Sequence, residues 1–315
     1  MKILVADSIA DSAIESLRKD FEVIVHHYSP DELLSEINNF DAIIVRSATK
    51  IPREVIKNGL RLKVIGRAGV GVDNIDVKAA SEKGIFVVNS PRASTITVAE
   101  MTFAFLLALS RKIVHATNET KNGEWPKKHL KGVELYGKIL GFVGCGRIGA
   151  EVVSRAHAFG MRCLVYDPYL PPEIFAKMGV EKIENLDYLF QESDYITIHA
   201  LLTDETRGMI GWKELESMKS TAYIVNCARG GIIDEDALYK ALKNGKIAGA
   251  ALDVFSVEPA KQNKLFELDN FYASPHIGAS TKEAQERAGQ ITAEQIRLVL
   301  TNNFPEFCVN AKDLE

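Results

Sequence analysis

The chain has 315 residues, of which 46% are hydrophobic and 25% charged, and its formal net charge is −4. That length exceeds what one small core fills and predicts two domains. The interspersed charges exclude the basic field that nucleic-acid binding needs, and the longest apolar run, Phe103 to Leu109, is far short of the ~20 residues of a membrane span.

The N-terminus, MKILVADS, reads directly as a strand with no signal-peptide pattern, so a cytoplasmic protein is expected. Strand-like and helix-like runs then alternate: KILVA, DSAIESLRKD, FEVIVHH, SPDELLSEINN, DAIIVRS, IPREVIKNG, KVIGRAG, NIDVKAASEKG and IFVVN. Most strands are nearly continuous Val, Ile and Leu, the pattern of a parallel sheet covered on both faces. Thr97 to Gly123 follows as one helical run, apolar nearly all round at its start and therefore predicted to be buried there. A second series opens at Lys138 with KILGFVG, a helix, RCLVYD, DYITIHA, AYIVNCA, IAGAALDVF and FYASPH. Asp234 and Gly245 bracket a helix as cap and stop. A long helix from about Ser280 to Thr301 closes the pattern. The fold class is α/β with doubly wound parallel sheets. Cys145, Cys163, Cys227 and Cys308 form no CxxC pair and read as reduced thiols, three of them in or beside buried strands. The seven histidines show no metal spacing, so no metal is expected.

In the second series, Gly144-x-Gly146-x-x-Gly149 follows a strand and opens a helix whose Ile148, Val152, Val153, Ala156 and Phe159 share one face. The next strand ends in Asp167, and the unit has the length of a dinucleotide-binding βαβ. Gly144 suits the tight turn, Gly146 the approach of a pyrophosphate, and Gly149 close packing of helix on strand. The helix N-terminus offers N–H groups and partial positive charge to phosphates. Asp167 would accept from ribose hydroxyls and repel a 2′-phosphate, which favours NAD over NADP. A nucleotide-free turn, or a methyltransferase with a similar first turn, is the alternative.

Three segments then end strands: VNCARGGIID, ALDVFSVEP and SPHIGAST. Strand C-termini line the ligand crevice of a parallel sheet, so Arg229, Glu258 and His276 are expected to converge. Singly, each reads as a surface arginine, a loop glutamate or a capping histidine. Together beside a nicotinamide they make a keto-acid reduction site. Arg229 grips a carboxylate and polarises the keto oxygen. His276 gives or takes the proton, and Glu258 holds the imidazole by its other nitrogen. In the first series, GRAGVGVD offers consecutive N–H groups around Gly69, Val70 and Gly71, which as a nest would suit a carboxylate, with Asn74 as a further donor; a plain glycine-rich turn is the alternative. Arg46-Ser47-x-Thr49-Lys50 ends another strand with two cations and two hydroxyls, fit for a phosphate dianion or simply solvated, and Arg67 is a further candidate.

The strings VRSATK, GRAGVGVDNID, GKILGFVGCGRIG, YDPY, VNCARGGIIDEDAL, GAALDVFSVEP and SPHIGASTKEAQ resemble the D-2-hydroxyacid dehydrogenase family across essentially the whole chain, and most closely its branch acting on phosphoglycerate. The resemblance implies a Rossmann NAD-binding domain over 99–286, inserted into a flavodoxin-like substrate domain made of 1–98 and 287–315, with the cleft between them. It implies that Arg229, Glu258 and His276 are catalytic. It further implies cofactor contacts at Gly144, Gly146, Arg147, Ile148, Gly149, Asp167, His199, Ala200, Thr206, Cys227, Ala228, Asp253 and Gly278. Substrate contacts are implied at Arg46, Ser47, Arg67, Gly69, Val70, Gly71 and Asn74. The expected partner is a phosphorylated 2-hydroxy or 2-keto acid, with no nucleic acid or membrane, and the expected assembly is a homodimer or higher homo-oligomer, with dimers formed through the nucleotide domain. Because the chain stops at Glu315, serine feedback through a C-terminal domain is not expected.

Overall fold

The structure, a computed structural model, describes residues 1–314. It divides into two compact units, Met1–Ser94 with Ala279 onward, and Thr95–Gly278.

The first unit contains β1 (Lys2–Val5), β2 (Glu22–Val25), β3 (Ala42–Val45), β4 (Val64–Arg67) and β5 (Phe86–Asn89). They form one parallel sheet in the order β2-β1-β3-β4-β5. The continuous apolar strands explain themselves here. In β3, Ile43 and Val45 enter the core on one face, while Ala42 and Ile44 enter the core on the other. Each buried Ile or Val contributes about 1.5–3 kcal/mol before chain entropy is subtracted. The helix Lys282–Leu300, where the sequence predicts a helix, is capped by Thr281 and packs on this sheet. Gly66 permits the approach, since a Cβ there would lie 2.6 Å from Ile296 Cδ1.

The second unit contains β6 (Ile139–Val143), β7 (Arg162–Tyr166), β8 (Glu181–Lys182), β9 (Tyr195–Ile198), β10 (Tyr223–Asn226), β11 (Gly249–Leu252) and β12 (Phe271–Ala273). Their order is β12-β11-β10-β9-β6-β7-β8, all parallel. Read from β8, this is the Rossmann order with one strand added. The edge strand β8 escapes sequence reading because its two residues are an exposed Glu and Lys.

Two local expectations are corrected. The run from Thr97 splits into helices Thr95–Arg111 and Ile113–Lys121, with Lys112 between them in the left-handed region at φ 53°. The first helix is buried as expected, but the second buries no residue, so nothing in the core holds the two on one axis. Phe159, expected within the helix on the face of Ile148, Val152, Val153 and Ala156, is the C-cap residue, partly exposed and stacked on Phe103. Among the described residues, no helix is long and apolar enough to cross a membrane.

Candidate active site

The strand order of the second unit reverses between β6 and β9, the place where open α/β sheets take ligands. The glycine-rich turn leaves β6 there, and His199 and Ala200 leave β9. Gly144 has φ +80°, and a Cβ on it would meet Ala200 N at 2.8 Å, so only glycine fits. Gly149 packs on Cys145, where an added Cβ would lie 3.0 Å from Sγ. Around Gly146 an added Cβ would meet nothing within 4 Å, which is the open space a pyrophosphate needs.

The helix Arg147–Ala158 starts at Gly146 with no side-chain cap, leaving its first-turn N–H groups to a ligand. Arg147 is exposed and Ile148 half-buried at this end. Asp167 stands at the end of β7. Its Oδ2 accepts from the Cys145 N–H at 2.8 Å and its Oδ1 from Tyr169 N–H at 3.0 Å and Leu170 N–H at 3.2 Å. The carboxylate thus ties the glycine-rich turn to the β7 exit, and its remaining lone pairs can still take ribose hydroxyls.

His199 Nε2 lies 3.0 Å from Thr197 Oγ1, whereas its Nδ1 is buried with no hydrogen-bond partner. Burial pushes this imidazole down to about 3, so the ring is neutral. An uncapped helix start, space beside Gly146 and an orphaned ring nitrogen at the β9 exit fit a dinucleotide. Thr206 closes its own loop, accepting from Thr203 N–H at 2.8 Å and donating to Leu201 O at 2.5 Å. Burial pushes the Cys145 and Cys163 thiols up to about 12 and raises Cys227 further; at neutral pH they are protonated, packed side chains.

β10, β11 and β12 are consecutive neighbours in the sheet, so their C-terminal exits, which carry Arg229, Glu258 and His276, lie side by side. His276 Nδ1 and Glu258 Oε2 are 2.7 Å apart, and Glu258 Oε1 accepts from the Phe255 N–H at 3.0 Å. His276 has φ 54°, an uncommon conformation for a residue with a side chain. Asp253, which is buried, imposes it. Its backbone oxygen accepts from His276 N–H at 2.8 Å. Its carboxylate takes Ser274 Oγ, Ile277 N–H at 2.8 Å and Gly278 N–H at 2.7 Å. A Cβ on Gly278 would collide with that carboxylate at 2.8 Å. Asp253 and Gly278 therefore build the histidine's turn.

Arg229 is presented by a residue the sequence reading passed over. Asn226, buried at the end of β10, accepts from Ala228 N–H at 2.9 Å and donates to Arg229 O at 2.8 Å. An asparagine at a strand exit before Arg-Gly-Gly was the available signal. The Arg229 guanidinium donates to Ala228 O at 2.8 Å.

In the first unit the switch point falls between β1 and β3, and Arg46 leaves β3 there. Asp7, buried at the β1 exit, accepts from Arg46 N–H at 2.6 Å, Thr49 N–H at 3.1 Å and Thr49 Oγ1 at 2.7 Å. Thr49 is buried and engaged, so it is not a ligand hydroxyl; Ser47 and Lys50 are exposed. Arg46 donates to Ser8 O at 3.3 Å. The Asn74 amide donates to Arg46 O at 2.7 Å and Thr49 O at 2.6 Å, which makes it a brace of this loop. At the β4 exit, Arg67 donates to Ala68 O at 2.9 Å, and Gly69 N–H donates to Arg67 O at 2.8 Å. Asn89 Nδ2 donates to Val70 O at 2.6 Å. No described residue from 66 to 74, Gly71 included, has positive φ, so the alternating backbone of a nest is not formed.

A family model described as D-isomer specific 2-hydroxyacid dehydrogenase, NAD binding domain, matches residues 103–278. Over 315 residues the chain is 53% identical to a D-3-phosphoglycerate dehydrogenase of Methanocaldococcus jannaschii; all of this chain is covered and 60% of that one. It is 47% identical over 300 residues to a hydroxypyruvate reductase of Thermotoga maritima, covering 94% of this chain and 97% of that one. The solved D-lactate dehydrogenase of Aquifex aeolicus, complexed with NAD and lactic acid, shares 30% identity at a TM-score of 0.85, with 96% of each chain covered. A Rossmann unit with an uncapped glycine-rich turn, a histidine–carboxylate pair on adjacent strand exits and this breadth of similarity lead to one conclusion: the chain belongs to the D-isomer specific 2-hydroxyacid dehydrogenases.

Proposed function

We propose that the chain catalyses NAD-dependent oxidation of D-3-phosphoglycerate to 3-phosphohydroxypyruvate, the entry to phosphorylated serine synthesis. The observation that carries the chemistry is the His276–Glu258 pair at 2.7 Å, one strand over from Arg229. When bound, NAD supplies the acceptor for the C2 hydride. Glu258 engages Nδ1, which directs Nε2 to the substrate hydroxyl and lets it take the proton. Arg229 holds the C1 carboxylate and the developing keto oxygen. Gly144, Gly146, Gly149, Asp167 and the β9 exit would hold the dinucleotide, and residues 99–286 would form its domain. The remaining residues would form the substrate domain, with Arg46, Ser47 and Arg67 for the phosphate. The position of Arg46 at the first sheet's switch point supports that assignment.

A second reading, hydroxypyruvate reduction, is favoured by the 47% identity to the hydroxypyruvate reductase of Thermotoga maritima. A substrate comparison separates the two. In NADH oxidation, 3-phosphohydroxypyruvate should show the higher kcat/KM. Arg46→Ala should cut that value by about 10- to 100-fold, the worth of a charge-assisted hydrogen bond, and leave hydroxypyruvate nearly unaffected. Equal efficiencies with the two acids would transfer the assignment to the second reading.

A cytoplasmic homodimer completes the proposal. The second unit exposes Leu107, Ile113, Val114, Trp125, Val133 and Tyr136, all within helices Thr95–Arg111 and Ile113–Lys121 or the chain that follows. Apolar exposure on this scale suits association. Light scattering should give twice the chain mass of 34.8 kDa; a monomer mass at micromolar concentration would reject it.

A further inference from the structure

The loop that carries Glu258 is closed at both ends by one carboxylate that the chemistry above does not use. Glu235 is the first residue of helix Glu235–Lys243, whose N-cap is Asp234. Its Oε1 accepts from the Ser256 N–H at 2.6 Å and its Oε2 from Asn263 Nδ2 at 2.6 Å. Ser256 and Asn263 flank Glu258 on either side. Asn263 is itself anchored, since its Oδ1 accepts from Leu265 N–H at 3.0 Å and caps the short helix Lys264–Glu267. Lys264 pairs with Asp236 alongside.

The same helix follows directly on the turn that presents Arg229. Between them, Gly230 runs against the backbone of Phe255, where a Cβ would lie 1.9 Å from the carbonyl oxygen. Phe255 in turn gives its N–H to Glu258. The segment from Arg229 to Glu235 therefore touches the Glu258 loop at its start, through Gly230, and at both ends, through Glu235.

We propose that Glu235 is a positioning residue that sets the place of Glu258, and through it the orientation of His276, relative to Arg229. This rests on the roles given to Glu258 and His276 above. Charge-assisted hydrogen bonds to a carboxylate are about twice as strong as neutral ones. Two of them across a loop that is otherwise exposed remove the freedom by which Glu258 could leave its partner. A loss of ~1 Å in such alignment can cost on the order of 100-fold in rate.

The test uses the full chain with Glu235→Ala, Glu235→Gln and, as reference, Glu258→Gln. Keto-acid reduction is followed across pH, NADH affinity by fluorescence, and amide hydrogen exchange over residues 256–263. Glu235→Ala should lower kcat about 10- to 100-fold, leave NADH affinity unchanged, speed exchange in the loop, and move the pH profile in the same direction as Glu258→Gln. Glu235→Gln, which still accepts from Ser256 but offers no second acceptor to Asn263, should recover part of the loss. Unchanged exchange in Glu235→Ala, or a fall in kcat matched by a fall in NADH affinity, would overturn the proposal. A Glu258→Gln defect that Glu235→Ala does not share sinks the clasp alone. A silent Glu258→Gln sinks both the clasp and the catalytic reading.

Discussion

His276→Ala should lower turnover by about 10²–10⁴-fold, the range for loss of a general acid–base group, with NADH affinity unaltered. The imidazole touches Glu258, and its turn is held by Asp253 rather than by the glycine-rich loop, so removing the ring leaves the dinucleotide residues in place. Position 276 has φ 54°, a region asparagine enters more readily than alanine. His276→Asn therefore serves as a control that keeps the turn and lacks the proton-transfer group. Both variants should be equally slow. Single-turnover rates and fluorescence titration with NADH check the result. Wild-type turnover in either variant removes His276 from the mechanism; recovery in the asparagine variant alone would mean that the turn, not the proton, matters.

Gly230→Ala should inactivate the enzyme and destabilise it, whereas Gly146→Ala should weaken NADH binding and leave stability intact. The two glycines differ in what a methyl group would meet. At Gly230 it would overlap the Phe255 carbonyl, with contacts of 1.9 and 2.0 Å to backbone atoms that cannot swing aside. Relief requires the β10 exit to move from the β11 exit, which separates Arg229 from Glu258. Overpacking against side chains costs about 1–3 kcal/mol, and a backbone clash lies at or above the top of that range. At Gly146 the methyl would meet nothing within 4 Å, and the residue's φ of −69° suits alanine. The added group would instead fill the space assigned to the pyrophosphate. Thermal melts with and without NADH distinguish the pair. A Gly230→Ala protein of normal stability and rate would refute the close approach, and unchanged NADH affinity in Gly146→Ala would move the phosphate elsewhere.

The alternation of apolar strands with amphipathic runs, the glycine spacing after β6 and the acid after β7 were legible because each depends on neighbours a few residues away. A helix cap was legible for the same reason: Asp234 acts where the sequence places it. The break at Lys112 was not, because it depends on which helix finds a core to pack on. Nor was β8, whose pairing to β7 gives its two charged residues a place that their composition does not announce. Asn74 reads in sequence as a ligand donor and in the fold as a loop brace, because its partners, Arg46 O and Thr49 O, lie some 25 positions earlier. Asp253, which the family resemblance implies as a cofactor contact, also anchors the His276 turn, a role no local pattern announces.

The sequence by itself determined the fold class, the glycine-rich turn after β6 and the identity of the three ionic residues at strand exits. These follow from local periodicity, from backbone freedom at glycine and from the chemistry each side chain carries. Only the tertiary structure decided which of those residues meet and what holds them. Strand order makes β10, β11 and β12 neighbours, and buried or looping carboxylates such as Asp7, Glu235 and Asp253 must satisfy their oxygens with whatever donors the folded chain brings near.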